Sequence, residues 1–420
     1  MVTKKKMLFI WLLWLAFLLL ACRLPSSIAP VPGEDTLPPV DELPLPTQEA
    51  PELPTQTDAP TPAPVITDTE TSLAQLPVME NVEIIEFRFY TPSRGWAVTR
   101  DQNQVLITTD GGQTWLNTTP ADLDPLPEGL TSLAIRPFFL DQDTAWFMPY
   151  TLGQATLYHT QAGGQSWEIT VPPFEQATFY FLDQESGYAL VGLGAGAGSH
   201  YVAIYRTDDG GTTWTMTFTH EPGETRSLPN GGSKNGITFR DVEYGWIAGA
   251  IPMDDHFYLY YTQDGGLTWI KETDIALPSD FAGSMLDIWQ PVMVAPDWVY
   301  LPVRAYPPAG DIYLLVYRSE DFGETWAYRG AVEHGGAIDF VSADEGWLVA
   351  EAGLFHSTDG GGTWSAVSTM GIAPGEFFLK VDFLDSQTGW VLTTPEDQSL
   401  ESLKLYRTDD GGENWALLLP

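Results

Sequence analysis

The sequence predicts an all-β protein: a seven-bladed β-propeller of four-stranded blades, preceded by a signal peptide and a disordered Pro-rich linker. Three observations support this prediction. A Ser/Thr-x-Asp-x-Gly-x-Thr-Trp box returns seven times along the 420 residues, and an aromatic landmark precedes each copy. The 39 Gly and 33 Pro residues favour many short strands and turns over long helices. Each repeat has room for four short strands, and seven such units make up a closed propeller.

Each box combines residue types that stabilise a tight turn between two strands. Gly adopts a positive φ at no steric cost, the Asp carboxylate accepts backbone N–H bonds across the turn, and Trp packs between neighbouring blades. In the weakest copy, from Thr160 to Trp167, Ala162 stands in place of the Asp. We therefore predict structural rather than catalytic roles for the box residues, which are Asp110, Trp115, Trp167, Asp209, Trp214, Asp264, Trp269, Asp321, Trp326, Asp359, Trp364, Asp410 and Trp415.

The landmark before each box is a Gly-Trp pair or a close variant of it, such as Gly95-Trp96. Phe lies seven residues before the aromatic member of the pair in six of the seven units. In the fifth unit the pair is assigned to Asp297-Trp298, which places Pro291 at the Phe position. Three landmarks that recur in one order indicate an internal repeat of one supersecondary unit.

The N-terminus has the features of a lipoprotein signal peptide. A basic run is followed by an apolar stretch from Met7 to Leu20, and the next two residues are Ala21 and Cys22. The four residues that end at Cys22 resemble the bacterial lipobox, in which cleavage before Cys leaves a thiol that receives a lipid. We predict that residues 1–21 are removed and that lipidated Cys22 anchors the protein outside the cytoplasmic membrane, or at the outer membrane or cell surface. A signal anchor with an incidental Cys is the alternative.

Residues 22–78 are predicted to be a disordered linker. They are rich in Pro, Thr, Glu and Asp, and such a segment buries too little apolar surface to fold. We expect a spacer between the anchor and the propeller of residues 79–420, and a leader without function is the alternative. Two modes of ring closure stay open, blade against blade alone or with an added strand from Leu73 to Val82.

The composition excludes several classes of partner. The net charge of −37 repels nucleic-acid phosphates and anionic lipid head groups, so membrane contact is expected through the lipid anchor only. Cys22 is the one cysteine, which excludes an intrachain disulfide and a Cys-ligated metal site. We expect no cofactor, no metal site and a monomeric chain.

The repeat pattern also points to a family. Phe-x5-Gly-Trp-x-Val followed by Thr-x-Asp-Gly-Gly-x-Thr-Trp resembles the photosystem II stability/assembly factor family, over about residues 80 to 420. The resemblance implies a seven-bladed propeller of Asp-box (BNR) repeats that assists early assembly of the photosystem reaction centre in the thylakoid lumen. Asp boxes also occur in sialidases and other glycan-cleaving enzymes.

The sequence contains no recognisable catalytic set, because the three Arg and the Tyr-Glu pair of a sialidase cannot be assigned. We therefore predict a non-enzymatic extracytoplasmic binding or assembly scaffold with a protein or peptide partner. The loop from Glu221 to Asn235 is the candidate binding loop, since Arg226 and Lys234 are unusual cations in so acidic a chain. The alternative is a secreted sialidase-like glycosidase or a glycan-binding propeller, with a glycan as the ligand.

Overall fold

The computed structural model of the protein describes residues 66–67, 72–80, 82–100, 104–120, 123, 136–149, 155–220, 227–251, 256–295, 297–395 and 402–419. The chain divides into two compact parts, Met1–Ala59 and Pro60–Pro420, and all described residues lie in the second. The predicted signal peptide, Cys22 and most of the predicted linker lie outside the described residues. Among the described residues, no helix combines the length and the apolar character needed to cross a bilayer.

The described residues form 31 β-strands and two 3-10 turns, Leu73–Gln75 and Ser279–Phe281, and they contain no α-helix. Strands β1 (Ile66–Thr67) and β2 (Val78–Met79) precede the repeats. The first three repeat units contain β3 (Ile84–Phe89), β4 (Gly95–Thr99), β5 (Val105–Thr108) and β6 (Trp115–Asn117); β7 (Arg136–Phe139), β8 (Ala145–Met148), β9 (Leu157–Thr160) and β10 (Glu168–Thr170); and β11 (Thr178–Phe181), β12 (Gly187–Gly196), β13 (Ser199–Thr207) and β14 (Thr215–Thr219).

The remaining strands belong to repeat units 4 to 7. They are β15 (Ser233–Phe239), β16 (Gly245–Ala250), β17 (Tyr258–Thr262) and β18 (Ile270–Lys271) in unit 4; β19 (Met285–Ile288), β20 (Val292–Ala295), β21 (Trp298–Tyr306), β22 (Tyr313–Ser319) and β23 (Ala327–Glu333) in unit 5; β24 (Gly335–Phe340), β25 (Gly346–Ala350), β26 (Gly353–Ser357) and β27 (Ser365–Ala366) in unit 6; and β28 (Glu376–Phe383), β29 (Gly389–Pro395), β30 (Lys404–Thr408) and β31 (Ala416–Leu419) in unit 7.

The strands of each repeat unit form an antiparallel meander, with the first strand at one edge and the fourth near the other. In unit 5 the first strand is split into β19 and β20, which both pair with β21. The pairing yields six sheets, because Ala250 of unit 4 also pairs with Asp287 of unit 5 and joins these two units into one nine-stranded sheet. The all-β propeller class is confirmed, and the number of seven blades stays a prediction.

The second and third strands of the units form the core. Every residue of β4 and β5 is buried, as is every residue of β8 and β9. Neighbouring units cover both faces of these strands, which explains why their sequences are apolar without a strict alternation.

Successive units are joined by stacked aromatic rings. The Phe at the end of a first strand lies flat on the landmark aromatic of the preceding unit, with ring centroids 3.4 to 3.8 Å apart in five of the six such pairs. These pairs are Phe181–Trp146, Phe239–Tyr188, Phe340–Tyr300, Phe383–Trp347 and Phe89–Trp390. The sixth pair, Phe139–Trp96, is 5.6 Å apart.

The Gly of the landmark is required by this stacking. A Cβ on Gly95 would lie 2.6 Å from the Phe89 ring, and the landmark glycines of units 3, 4, 6 and 7 face the Phe of their own unit in the same way. Unit 2 has Ala145 at this position, and its Phe139 belongs to the widest pair. We attribute the wider spacing to the methyl group of Ala145.

The fifth unit corrects the landmark assignment made from the sequence. Val299 pairs with Ser319 as Gly95 pairs with Thr108, and Met293 pairs with Val299 as Phe89 pairs with Gly95. Tyr300 and Met293 therefore hold the landmark positions, and the assignment to Trp298 and Pro291 is wrong. The spacing of seven residues is kept, but Val and Met replace the Gly and the Phe.

Direct packing of unit 7 on unit 1 closes the ring. Phe89 stacks on Trp390 at 3.7 Å, and Nε1 of Trp390 donates to the carbonyl oxygen of Gly111 at 3.0 Å. The segment expected as an added strand pairs elsewhere, because β2 lies on the outer strand β6 of unit 1. Strand β1 pairs in the same way with β10, so the last part of the predicted linker lines the outer edges of units 1 and 2.

We expect Phe89→Ala to lower the free energy of unfolding by about 3–5 kcal/mol, because it removes a buried ring from the contact that closes the ring of units. Leu417→Ala is the matched control, since Leu417 is 48 % exposed on the outer strand of unit 7 and its loss is expected to change stability by less than about 0.5 kcal/mol. Urea unfolding followed by Trp fluorescence measures both. Equal losses in the two variants would contradict a special role for this contact.

Candidate functional site

The box carboxylates are used inside their own turns. Oδ1 of Asp110 accepts from the Thr108 hydroxyl and the Thr114 amide, both at 2.9 Å, and Oδ2 accepts from the Thr114 hydroxyl at 2.7 Å. The same three bonds form at Asp209, Asp264, Asp321 and Asp359, and Asn414 supplies the last two of them at Asp410. The pKa of the Asp359 carboxyl is lowered to about 2, and the largest cause is the hydrogen bond from the Thr363 backbone amide. These carboxylates are ionised turn acceptors.

The box tryptophans pack inside the fold. Trp115, Trp167, Trp269, Trp326 and Trp415 are buried, and Trp214 and Trp364 are half-buried. Four of these indoles donate to the carbonyl oxygen of the second box Gly, at 3.1 or 3.2 Å, and Trp167 donates to Thr118 of the preceding unit at 2.7 Å. The geometry therefore assigns the predicted box residues to turn formation and packing.

Of the candidate binding loop from Glu221 to Asn235, residues 227–235 lie among the described residues. Arg226 lies outside the described residues. Lys234 is only 4 % exposed, and its Nζ donates to the carbonyl oxygens of His200, Asn230, Gly231 and Gly232 at 2.9 to 3.3 Å. Burial lowers the pKa of Lys234 to about 8. Lys234 thus ties the loop to the β12–β13 hairpin and presents no charge to a partner.

A second set of positions lies on the first strands, one residue before the Phe position of each unit. First strands of successive units contact one another, for instance β7 with β11 and β28 with β3, and therefore surround the axis of the propeller. The residues at this position are Arg88, Phe138, Tyr180, Thr238, Val292, Asp339 and Asp382 in units 1 to 7. Charge is thus concentrated in units 6, 7 and 1, on both sides of the ring closure.

We call Arg88, Asp339 and Asp382 the axial cluster. Nη1 of Arg88 lies 2.8 Å from Oδ1 of Asp382 and 3.6 Å from Oδ1 of Asp339. The other oxygen of each carboxylate accepts a backbone amide of the next unit: Phe89 donates to Asp382 and Phe383 donates to Asp339, both at 2.7 Å. The two aspartates therefore hold the arginine and fasten units 6, 7 and 1 together.

Burial differs sharply within the axial cluster. The side chains of Asp382 and Asp339 are 1 % and 10 % exposed, whereas that of Arg88 is 47 % exposed. Desolvation raises the pKa of Asp339 to about 6, and the neighbouring carboxylate of Asp382 raises the pKa of Arg88 above its usual range. Arg88 is thus a permanently charged, pre-oriented donor with half of its side chain open to solvent.

Neighbouring side chains complete the surroundings of the axial cluster. Lys380 contacts the carboxylate of Glu86, and desolvation lowers the pKa of Lys380 to about 8. In units 2 and 3, Phe138 packs against Tyr180 with ring centroids 5.6 Å apart. The axis therefore has a charged side and an aromatic side, which suits a ligand with both polar and apolar groups.

The axial cluster is absent from the residues predicted from the sequence, although the sequence contains a signal for it. A charged residue stands directly before the Phe of units 1, 6 and 7, inside strands that are otherwise apolar. Charges at such a position indicate either paired burial or a site. What the sequence could not show is which side chains of the first and last units meet.

The described residues include one group that could share a cation. Ligand atoms of Asp311, Glu333 and His334 lie within 4.8 Å of one another, and Nδ1 of His334 lies 2.8 Å from Oε2 of Glu351. Both carboxylates of the group are exposed. This arrangement also satisfies the imidazole as an ion-pair partner, so it does not require a metal.

Two models of known protein families match parts of the chain, in agreement with the repeat pattern. Residues 63–236 match the family model described as Photosynthesis system II assembly factor YCF48, and residues 355–366 match that of the BNR/Asp-box repeat. The chain resembles this assembly-factor family. No curated protein matches the chain in sequence.

Solved structures that resemble the chain include two structures of YCF48 and a polysaccharide lyase. YCF48 bound to a D1 peptide is 20% identical, with 82% of this chain and 97% of that chain covered and a TM-score of 0.48. YCF48 from Cyanidioschyzon merolae is 18% identical, with coverages of 76% and 96% and a TM-score of 0.48. A polysaccharide lyase of family PL25, an ulvan lyase, is 11% identical, with coverages of 84% and 95% and a TM-score of 0.46.

The raised pKa of Asp339 predicts a pH dependence of stability. Its folded-state pKa of about 6 lies above the ordinary value of 3.8, so its stabilising contribution is complete below about pH 4 and is lost as the pH rises through 6. We expect the stability of the wild type relative to Asp339→Asn to fall between pH 4 and about pH 6.5. Asn keeps an oxygen for the Phe383 amide.

Asp321→Asn is the control with the opposite sign. The pKa of Asp321 is lowered despite partial desolvation, because Thr325 and Ser319 bond to the carboxylate, so its contribution is lost as the pH falls. Urea unfolding at several pH values measures both differences. A difference between wild type and Asp339→Asn that does not change with pH would refute the assignment.

Proposed function

We propose that the protein is a non-enzymatic scaffold that holds a protein or peptide partner outside the cytoplasm through its axial cluster. The observation that carries the proposal is Arg88, whose guanidinium is fixed by two buried carboxylates and yet is half open to solvent. Such an arginine donates to a carboxylate or carbonyl oxygen with little loss of conformational freedom on binding.

The surroundings of Arg88 fit a peptide. A peptide offers carbonyl and carboxylate acceptors for the guanidinium, together with apolar side chains. Phe138 and Tyr180, on the neighbouring units 2 and 3, offer aromatic surface for the latter. The match of residues 63–236 to an assembly-factor family supports a protein partner as well, since an assembly factor acts on a protein complex. A photosystem subunit is the partner only if the host is phototrophic.

The carboxylates of the axial cluster argue against glycoside cleavage there. A glycosidase needs two carboxyl groups that face the sugar, one as acid and the other as base or nucleophile. Asp382 is occupied by Arg88 and the Phe89 amide, and Asp339 by the Phe383 amide. Both therefore serve to hold the cluster, which supports the non-enzymatic reading over the glycosidase alternative.

We test the partner by affinity capture. The full chain serves as bait for detergent-solubilised host membranes, with mass spectrometry as the readout. Arg88→Lys keeps the charge but loses the planar fork, and we expect it to retain about tenfold less of the captured protein. Arg407→Lys, on the box side of unit 7, is the matched control and is expected to capture as much as the wild type.

Three results would count against the proposal. One is that no protein is enriched although the bait is folded. Another is equal capture by wild type and Arg88→Lys when the melting temperatures agree. The third is release of sugars from an oligosaccharide panel by the purified wild type, which would favour the glycosidase alternative.

The location is part of the proposal and depends on Cys22. We expect the wild type to incorporate radiolabelled fatty acid in a bacterial host and to sediment with membranes, because two or more acyl chains anchor a protein stably. Cys22→Ser is expected to carry no label and to leave the membrane fraction or remain as an uncleaved precursor. Label retained by Cys22→Ser would refute lipidation at this residue.

A further inference from the structure

Repeat units 4 and 5 meet in an irregular way. Met293 of unit 5 holds the position at which other units place a stacking Phe. The indole of Trp246, the landmark of unit 4, is fully buried, and its Nε1 has no hydrogen-bond partner among the described residues. The landmark indoles of Trp390 and Trp146 donate to the first box Gly of the next unit, whereas Nε1 of Trp347, like that of Trp246, has no partner among the described residues. The joint between units 4 and 5 lacks both contacts.

The box of unit 5 carries Phe322 where the other boxes have Gly. The six glycines at this position have φ between 60° and 78°, and Phe322 is held at 61°. A bulky side chain rarely adopts this left-handed conformation, because its Cβ crowds the backbone. The Phe322 amide also lies 3.4 Å from its acceptor, the carbonyl oxygen of Asp297, whereas the six Gly amides are 2.8 to 2.9 Å from theirs.

The ring of Phe322 contributes little stability to the fold that would offset this backbone strain. Phe322 is 42 % exposed, so much of its apolar surface stays in water. Gly fits the turn in six other boxes, which shows that the turn itself has no need of Phe. A strained residue that the fold does not require indicates a functional constraint.

The surroundings of Phe322 indicate the chemistry of a ligand. The Arg240 guanidinium lies 4.2 Å from the ring centroid of Tyr244 and 5.5 Å from that of Phe322, and it donates to the Phe322 carbonyl oxygen at 3.4 Å. Next to it is a depression of about 340 Å³ lined by Arg240, Asp241, Val242, Glu243, Tyr244, Gln263 and Glu324. This volume suits one side chain or a small ligand.

The charge balance at the depression is negative. Oδ2 of Asp241 pairs with Arg240, and Oδ1 accepts the amides of Glu243 and Tyr244. Among the described residues, neither Glu243 nor Glu324 forms a side-chain hydrogen bond or an ion pair, and both are exposed. Two unpaired carboxylates beside an exposed ring attract a cation and repel an anion.

We propose that this edge of units 4 and 5, made of Arg240, Glu243, Tyr244, Phe322 and Glu324, binds an Arg or Lys side chain of a partner protein. The cationic head pairs with Glu243 and Glu324, and the apolar stem covers the exposed ring of Phe322. The net charge of −37 draws basic segments to the surface at long range, while the ring and the two carboxylates fix one of them here. The site is separate from the axial cluster.

The test uses the full chain and a labelled acetylated and amidated pentapeptide with two Arg residues separated by Gly. Fluorescence anisotropy gives the Kd, and the same peptide with Glu in place of Arg is the charge control. Phe322→Gly restores the box consensus, so we expect a melting temperature at or above that of the wild type together with at least about fivefold weaker peptide binding. Phe322→Tyr keeps a ring and is expected to bind as the wild type does.

A carboxylate pair of variants tests the same site without a change of backbone. Glu324 and Glu413 occupy the same position in their boxes, but the box of unit 7 has Gly411 where unit 5 has Phe322. We expect Glu324→Gln to weaken Arg-peptide binding about fivefold and Glu413→Gln to leave it within about twofold.

Several outcomes would overturn the proposal. The first is that the wild type fails to bind the Arg peptide, or that it binds the Glu peptide equally well. The second is that Phe322→Gly lowers the melting temperature and leaves the Kd unchanged, which would make Phe322 a structural residue. The third is that Glu324→Gln and Glu413→Gln weaken binding equally, which would leave only a diffuse electrostatic attraction of the peptide to the acidic surface. The fourth is that a neutral oligosaccharide binds in a Phe322-dependent way while the Arg peptide does not, which would make the site a glycan site.

Discussion

The stack between a first-strand Phe and the landmark aromatic of the preceding unit is the contact on which the ring depends. It joins units that are neighbours in sequence, and through Phe89 and Trp390 it joins the last unit to the first. The Gly of the landmark exists because the Phe of its own unit lies where a Cβ would be. One close approach thus dictates two of the three repeated sequence features, the Gly-Trp pair and the Phe seven residues before its aromatic.

Arginines reinforce these joints on the box side of the units. Each donates through its guanidinium to a carbonyl oxygen of the next unit, at 2.8 to 3.5 Å. The pairs are Arg94 with Gln142, Arg206 with Val242, Arg240 with Phe322, Arg318 with Ala343 and Arg407 with Pro92. Among the residues that the structure describes, these five arginines and Lys234 are therefore engaged in contacts within the fold. A half-exposed cation such as Arg88 stands out against this background.

The sequence predicts local features well and ring contacts poorly. The turn structure of the boxes is predictable because its hydrogen bonds lie within eight consecutive residues. The hydrogen bonds that Asp110 accepts therefore follow from the residue types alone. The landmark of unit 5 was misassigned because Trp298 satisfies an aromatic pattern, and only strand pairing shows that Tyr300 holds the position. The axial cluster could not be found because Arg88 and Asp382 are 294 residues apart in the sequence. A contact of this kind follows from closure and not from any local pattern.

A ring built from repeated joints can tolerate one irregular joint, and this gives the strain at Phe322 a structural context. Units 4 and 5 lose the Phe stack, yet strand pairing between Ala250 and Asp287 joins them through the backbone instead. The remaining joints keep both units in register, so one turn can depart from the consensus without opening the ring. A position freed in this way from the demands of folding can be shaped by binding. In a repeat protein, the place where the repeat is broken at a local energetic cost is therefore the place to look for function.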